Sequence, residues 1–271
     1  MSITLTSATG KLGSAVLDAI LDNKLVDPAQ LVVCTSSDTQ DKRFDALRDR
    51  KVTLRYNNFD EPDSLERAFA GCFKLFLVST PKVDMDYKDA PLWRGREAHH
   101  RAAIDAAIKA GIKHIYYTSL AYANPPRRAS CARTFGKIEY TFIREGLYNE
   151  SWPLYFGYFF KLRDEERQEV IVAGDGPISW TAIKDMAFAT AKIIAAPSDS
   201  WKRGTLYLSQ SRTLTLEQVA RLVSRLQCQD VSVKIVLREE YVDHYAQQGM
   251  ERASVEWWSS TYDALKDGEG R

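Results

Sequence analysis

The chain has few of the residues that bind metals or form disulfide bonds. Its 271 residues include four cysteines and four histidines. The cysteines, Cys34, Cys72, Cys131 and Cys228, are far apart and form no Cys-x-x-Cys pair, so the usual zinc and disulfide patterns are absent. We therefore expect reduced thiols, no metal site and a cytoplasmic protein.

The chain also has no excess of charge and no long apolar run. It has 37 Lys and Arg residues against 36 Asp and Glu residues, a net charge of +1, which gives no reason to expect nucleic acid or an anionic membrane as a partner. No apolar run approaches the roughly 20 residues that span a bilayer. The N-terminus enters an apolar strand without a basic region before it, so we expect no signal peptide.

The first sixteen residues carry the clearest pattern. A short apolar run at residues 2–6 predicts a buried parallel strand, and apolar residues at helical spacing over 14–23 predict a helix. Gly10 and Gly13 lie between them. Strand, glycine turn and helix begin a Rossmann unit, because glycine lets the backbone approach a pyrophosphate and helix N–H groups attract its charge. Ser7 stands where a third glycine is usual, so a turn without a ligand fits equally well.

Strands and helices then alternate along the chain. Apolar runs predict strands at 30–35, 52–56, 74–78, 114–119 and 139–144, with helical segments before most of them. This alternation predicts an α/β fold with a Rossmann-type, doubly wound parallel sheet. Later elements are sparser and predict a smaller C-terminal α/β lobe that binds substrate. We assign residues 1–145 to the Rossmann domain, with 175–200 packing back on it, and 146–174 and 201–271 to the lobe.

The residues that follow the strands indicate which nucleotide binds. In such a sheet, ligands lie at the carboxyl ends of the strands, where the strand order reverses. Ser36 and Ser37 directly follow the second strand, no acidic residue stands at the strand end, and Arg43 lies further on, which favours the 2′-phosphate of NADP(H) over NAD(H). Arg43 also fits an exposed helix face. Ser79 and Thr80 follow the fourth strand and are expected to point at the cofactor.

Two adjacent histidines, His99 and His100, stand near the start of the helix predicted over 98–110. Alanines form the packing side of that helix, and Gly111 is expected to end it. No acidic or cysteine partner lies at ligand spacing, so we expect both histidines to face solvent rather than bind a metal.

Four short motifs occur in order along the chain. They are TSATGKLG at 6–13, YTSL at 117–120, IREGLYNES at 143–151 and AGDG at 173–176. Together they resemble the NmrA-like atypical short-chain dehydrogenases, and most of all the NAD(P)H:quinone oxidoreductase-like branch. The resemblance covers most of residues 1–210. It implies a Rossmann fold, bound NADP(H), and either reduction of a small quinone or carbonyl compound or cofactor sensing without turnover.

The resemblance also implies roles for individual residues. Those near the cofactor are Thr9, Gly10, Lys11, Leu12 and Gly13 at the pyrophosphate, Ser36 and Ser37 at the 2′-phosphate, Ser79 and Thr80 at the nicotinamide ribose, and Thr118 under the nicotinamide. Ser119, also under the nicotinamide, and Tyr148, which faces the substrate space, are the candidate catalytic residues.

The proton donor is the least defined part of this prediction. Short-chain dehydrogenases usually protonate a carbonyl with a Tyr-x-x-x-Lys pair, but Tyr148 has no lysine at that spacing, and we expect the chain to lack the pair. Quinone reduction needs less, since water or one hydroxyl can supply the proton and hydride transfer depends on positioning. Several aromatic side chains could surround such a substrate, namely Tyr87, Trp93, Tyr122, Tyr148, Trp152 and Tyr155. Each of them taken singly is more typical of ordinary packing.

Two functions therefore stay open at this point. One is an NADPH-dependent reductase of a quinone-like small molecule, acting as a monomer or homodimer. The other is a non-catalytic NADP(H)-sensing regulator that binds a protein partner. The expected lack of a catalytic pair and the short crossover over 120–138 favour this second function. A scaffold without a cofactor is disfavoured by the four motifs together.

Overall fold

The computed structural model describes residues 2–88, 90–91, 93–120 and 138–270. Its strands are β1 Ile3–Leu5, β2 Leu31–Thr35, β3 Thr53–Tyr56, β4 Lys74–Leu77, β5 His114–Leu120, β6 Glu139–Glu145, β7 Glu169–Val172, β8 Gly204–Leu208 and β9 Ser232–Ile235. Its helices are α1 Lys11–Asp22, α2 Asp45–Asp49, α3 Pro62–Phe69, α4 Arg96–Lys109, α5 Trp152–Tyr155, α6 Ile183–Ala195, α7 Leu216–Gln227, α8 Arg238–Gln247, α9 Arg252–Ser259 and α10 Thr261–Lys266.

Seven strands form one parallel sheet in the order β3-β2-β1-β4-β5-β6-β8. The order reverses between β1 and β4, so a crevice opens at their carboxyl ends. The doubly wound Rossmann-type fold predicted from the sequence is confirmed. The crossover between β5 and β6, with Tyr122 in it, lies outside the described residues.

Helices cover both faces of this sheet, which is why its central strands are continuous apolar runs. On one face α1 packs against α6 and the sheet, and Val16 and Ile20 are fully buried there beside Ala187 and Ala191. On the other face α3 and α4 pack together over β4 and β5. The position of α1 matters most, because its first turn stands at the crevice.

A third hydrophobic cluster, called here the lobe cluster, lies around the two-stranded parallel sheet β7–β9 and the helices α7 to α10. The division into two domains remains a prediction, with one correction: β8 pairs with β6 in the main sheet, whereas segment 201–271 was assigned to the lobe. Near the end of the chain, the Gly270 carbonyl accepts a hydrogen bond of 2.7 Å from the Ser179 N–H.

Candidate functional site

A cleft of about 500 Å³ opens over the carboxyl ends of β1, β2, β3 and β4. Its lining comes from the turns that follow these four strands and from the loop after β6. The residues that line it are Ser7, Thr9, Gly10, Lys11, Leu12, Gly13, Cys34, Thr35, Ser36, Asn57, Asn58, Phe59, Val78, Ser79, Thr80, Pro81, Lys82 and Tyr148. The structure therefore brings together nine of the thirteen site residues proposed from the sequence.

The turn between β1 and α1 forms the floor of this cleft. Ser7 has a φ of +54°, the left-handed conformation that glycine adopts most readily. A Cβ on Gly13 would lie 2.2 Å from the Ser7 carbonyl oxygen, so only glycine fits there. No described side chain caps α1, which leaves the first N–H groups of a twelve-residue helix free to attract an anion.

The ends of β2 and β3 shape the other half of the cleft. Ser36 lines it, whereas Ser37 and Arg43 lie outside the lining. The Ser37 N–H donates to Thr35 Oγ1 at 3.1 Å, and the Arg43 guanidinium lies 3.5 Å from an Asp41 carboxylate oxygen. The roles of Ser37 and Arg43 at a 2′-phosphate stay predictions.

Sequence reasoning missed three lining residues that follow β3, namely Asn57, Asn58 and Phe59. The signal was available, because the rule that selected the residues after β2 and β4 applies equally to β3. Lys82 was also missed, and its ammonium pairs with the Asp60 carboxylate.

The end of β4 is tied to β5 by three hydrogen bonds between Ser79 and Thr118, the longest of which runs from Thr118 Oγ1 to Ser79 Oγ at 3.4 Å. The Ser79 N–H donates to Thr118 Oγ1 at 3.0 Å, and Ser79 Oγ donates to the Thr118 carbonyl at 2.9 Å. Thr118 is 3 % exposed and lies outside the lining, as does Ser119. In this arrangement Thr118 positions Ser79, and its predicted contact with the cofactor remains a prediction.

The expectation that His99 and His100 face solvent is wrong, since both are buried. His100 Nε2 accepts a hydrogen bond of 3.1 Å from the Thr80 N–H, and its Nδ1 lies 2.8 Å from the Tyr117 hydroxyl. Burial lowers the pKa of His100 to about 4, helped by the nearby Arg96 charge. A neutral His100 therefore fixes the backbone of the cleft wall at Thr80, a role that periodicity along α4 does not reveal.

Tyr148 lines the cleft and is hydrogen-bonded to a buried acid. Its hydroxyl lies 2.6 Å from Glu145 Oε2 at the end of β6. Burial raises the pKa of Glu145 to about 8, although the hydrogen bond from Tyr148 opposes the shift. Burial and the Glu145 charge together raise the pKa of Tyr148.

The predicted aromatic wall is mostly packing. Tyr155 is 1 % exposed inside the lobe cluster, Trp152 packs against Phe156 at 5.8 Å between ring centroids, and Tyr87 lies 6.3 Å from Trp257 of α9. Of the described members of that aromatic set, Tyr148 is the one that lines the cleft.

The chain does contain one Tyr-x-x-x-Lys pattern, at Tyr262 and Lys266, so the expectation that it lacks the pair is corrected. Tyr262 is 0 % exposed, and its hydroxyl donates to the Tyr155 carbonyl at 2.6 Å. Lys266 is half exposed beside Asp263. The pattern belongs to α10 in the lobe cluster, so this tyrosine does not reach the cleft.

The described residues offer no metal site and no membrane span. No group of three or more His, Cys, Asp or Glu side chains among them could hold an ion, and no helix among them is long and apolar enough to cross a bilayer. Cys34 at the cleft lies 3.2 Å from Thr4 Oγ1, and burial raises the pKa of its thiol to about 12.

Comparison with known proteins agrees with this geometry. The model of the NmrA-like family matches residues 1–255. The chain belongs to the NmrA-like family. The resemblance seen in the sequence motifs is thereby confirmed.

Two curated relatives of this NmrA-like protein are named oxidoreductases. The NmrA-like family domain-containing oxidoreductase flvB of Aspergillus flavus is 25% identical over 285 residues, covering 100% of this chain and 87% of the relative. Quinone oxidoreductase 2 of Escherichia coli is 29% identical over 233 residues, covering 80% of this chain and 72% of the relative.

Two solved structures share the fold across nearly the whole chain. Triphenylmethane reductase of Citrobacter sp., complexed with NADP(H), has a TM-score of 0.79 and 25% identity and covers 100% of this chain and 91% of its own. The NADPH-dependent quinone oxidoreductase of Escherichia coli, complexed with NADPH, has a TM-score of 0.79 and 25% identity, with coverage of 99% and 90%.

Proposed function

We propose that this NmrA-like protein is an NADP(H)-dependent oxidoreductase that reduces a quinone or a similar small conjugated carbonyl compound by hydride transfer. The observation that carries the proposal is the cleft at the carboxyl ends of β1 to β4, with the uncapped start of α1 on its floor. Two relatives with this fold are complexed with NADP(H), which supports the same cofactor here over NAD(H).

The residues of the cleft fit a dinucleotide. Gly13 lets the backbone at the start of α1 come close to a pyrophosphate, and the Lys11 ammonium adds a positive charge beside it. Ser36 stands where the adenosine 2′-phosphate is expected, and Ser79 and Thr80 line the wall where the nicotinamide ribose is expected. The dihydronicotinamide, when bound, supplies the hydride.

The protein then contributes positioning and a proton. Tyr148 is part of the cleft lining, and we assign to its hydroxyl the proton that the reduced oxygen of the substrate takes up. Ser119 is the second candidate catalytic hydroxyl, although it is not among the residues that line the cleft. A small aromatic or quinone-like substrate suits a cleft with Phe59 and Tyr148 in its wall.

The first test of cofactor choice is a fluorescence titration with NADPH and, separately, NADH, using the six tryptophans. We expect NADPH to bind at least about tenfold more tightly, because a hydrogen bond to a charged phosphate stabilises by about 1.5–3 kcal/mol. Ser36→Ala should lower the affinity for NADPH and leave that for NADH unchanged. Equal binding of both nucleotides by the wild type would contradict the assignment.

The test of activity is NADPH oxidation with a panel of quinones and conjugated carbonyls. Tyr148→Phe should lower kcat by about 100-fold, within the range of general acid catalysis, while the Kd of NADPH stays within about twofold. Tyr207→Phe, the same change at an exposed position on β8, is the control. No oxidation above the blank with any acceptor would overturn the proposal.

The alternative of a non-catalytic NADP(H)-sensing regulator is not favoured. Both curated relatives are named oxidoreductases, and no described contact selects a protein partner over a small substrate.

A further inference from the structure

Glu145 is a buried carboxyl group without a cation. It is 3 % exposed, and among the described residues it has no ion pair with Lys, Arg or His. Its Oε2 meets the Tyr148 hydroxyl, whereas its Oε1 has no hydrogen-bond partner among those residues. Burying an ionised carboxylate in this way is unfavourable, so such a group keeps its proton near neutral pH.

The position of Glu145 connects it to the cleft through one side chain. It ends β6, beside Leu120 of β5 and Leu208 of β8, and shares its face of the strand with the buried Ile143. Its described hydrogen-bond partner, Tyr148, is itself part of the cleft lining. Any proton that passes between Glu145 and the cleft along described contacts therefore passes through the Tyr148 hydroxyl.

We infer that Glu145 is the proton reservoir of the reductase, which supplies its proton to the reduced substrate through the Tyr148 hydroxyl. This inference rests on the proposed function. Glu145 is a positioning residue in this scheme, since it acts through Tyr148.

The step balances as follows for a quinone. When bound, the dihydronicotinamide would supply the hydride that turns the quinone into the hydroquinone monoanion, and would itself be left as the nicotinamide cation. The oxygen anion of the hydroquinone takes the proton of the Tyr148 hydroxyl, and the Tyr148 oxygen takes the proton of Glu145. The Glu145 carboxylate then regains its proton along the same route, through the Tyr148 hydroxyl, from a water molecule in the cleft that leaves as hydroxide.

The direction of the hydrogen bond of 2.6 Å decides whether Tyr148 can act. When Glu145 carries a proton, its O–H donates to the Tyr148 oxygen, and the Tyr148 proton is free to point into the cleft. When Glu145 is ionised, Tyr148 donates to the carboxylate and its proton is held away from substrate. Ionisation of Glu145 therefore stops proton delivery.

Few described groups compete for control of this pair. Burial sets the pKa of Glu145 at about 8, with Tyr148 as the opposing partner. Glu150 raises the pKa of Tyr148 further, although both of its carboxylate oxygens accept from the Ile183 N–H at 3.2 Å. The facing residues Leu120 and Leu208 carry no charge.

The test is the pH profile of kcat at saturating NADPH and quinone for the wild type and for Glu145→Gln. The wild type should lose activity as the pH rises through about 8. Glu145→Gln has the same shape but no proton to release, so its kcat should be at least about tenfold lower and should show no loss near that pH. The Kd of NADPH should change less than about twofold.

Three comparisons make the result specific. Glu169→Gln, the same change on an exposed residue of β7, should leave the profile unchanged. Tyr148→Phe should also remove the alkaline limb, and the double variant should be no slower than Tyr148→Phe alone, because the two residues act in series. An alkaline limb that persists in Glu145→Gln would overturn the inference.

A stability measurement separates this failure from failure of the proposed function. The pKa of Glu145 is raised from 4.5 to about 8 on folding. The wild-type protein therefore becomes less stable as the pH rises across that window, because the unfolded state releases the proton that folded Glu145 keeps. The Tm of Glu145→Gln relative to wild type should therefore rise between those pH values. A Tm difference that does not change with pH would overturn the inference that Glu145 is the proton reservoir. A rising difference without NADPH oxidation by any quinone means that the proposed function has failed and that the inference fails with it.

Discussion

At the scale of single residues, the turn before α1 shows how this chain departs from the usual three-glycine pattern. Ser7 takes the left-handed conformation with φ of +54° itself. A single non-glycine residue there is strained by about 1–2 kcal/mol. The sequence alone left open whether a serine at this position disables the turn, and the structure keeps the turn intact with Gly13 against the Ser7 carbonyl.

We predict opposite outcomes for changes at these two positions. Ser7→Gly should raise the free energy of unfolding slightly or leave it unchanged, because relief of strain offsets the greater freedom of glycine in the unfolded chain. Gly13→Ala should lower it by more than about 2 kcal/mol, since its Cβ would meet backbone atoms at 2.2 Å. Urea denaturation checks both, and a Gly13→Ala protein of wild-type stability would contradict the geometry.

His100 gives a prediction about pH. Its pKa falls from 6.5 to about 4 on folding, so the unfolded chain binds the extra proton between those pH values and stability is lost as the pH falls through that window. His100→Ala should lower the free energy of unfolding at pH 7 by about 1–3 kcal/mol. The difference from wild type should shrink toward pH 4 in a series of denaturation curves.

Half-buried His244 supplies the control for that series. It is less buried than His100, and burial lowers its pKa as well. His244→Ala should therefore remove little of the pH dependence. A constant difference between His100→Ala and wild type from pH 7 to pH 4 would show that His100 is not held neutral.

At the scale of the elements, the C-terminus of α6 is held by a lysine from the sheet. Lys74, the first residue of β4, is 5 % exposed, and its ammonium donates to the carbonyls of Ile194 and Ala196 at 2.7 and 2.5 Å. These carbonyls end the helix, where a positive charge is favourable. Since α6 packs on α1, this contact also supports the helix at the floor of the cleft.

We therefore predict that Lys74→Met lowers the free energy of unfolding by about 2–4 kcal/mol, because a buried and a partly buried carbonyl lose their partner. Lys192→Met, in the last turn of the same helix but exposed, should change it by less than about 0.5 kcal/mol. Chemical denaturation of the two variants tests the comparison. Equal changes in the free energy of unfolding would mean that the Lys74 hydrogen bonds add no stability beyond that of any positive charge near the C-terminus of the helix.

The AGDG motif at 173–176 contacts two helices of the lobe cluster. Asp175 carboxylate oxygens accept hydrogen bonds from the Leu216 and Glu217 N–H groups at 2.7 and 3.1 Å, so this side chain caps the start of α7. A Cβ on Gly176 would lie 2.0 Å from the Leu265 carbonyl oxygen. The motif joins three parts of the lobe cluster, and it lies outside the cleft lining.

At the scale of the whole molecule, cofactor binding should stabilise the fold, since the cleft draws its lining from four strands and the loop after a fifth. NADPH at about 100 times its Kd should raise the free energy of unfolding by about 2.7 kcal/mol. A thermal shift that grows with NADPH concentration checks this. Gly13→Ala should show a much smaller shift, and no shift in the wild type would contradict the assignment of the cleft.

The sequence by itself determined the order of strands and helices, because buried parallel strands and amphipathic helices leave local apolar patterns. It also located the glycine turn and the residues after β2 and β4, since carboxyl ends of parallel strands share one edge. Only the tertiary structure decided what lies behind those residues. Three residues of the site are hydrogen-bonded to buried partners: Thr80 to His100, Ser79 to Thr118, and Tyr148 to Glu145. In each pair, the local sequence around the partner carries no sign of the contact. Burial and hydrogen-bond partners arise when distant segments pack together, so neither can be read from periodicity along one segment.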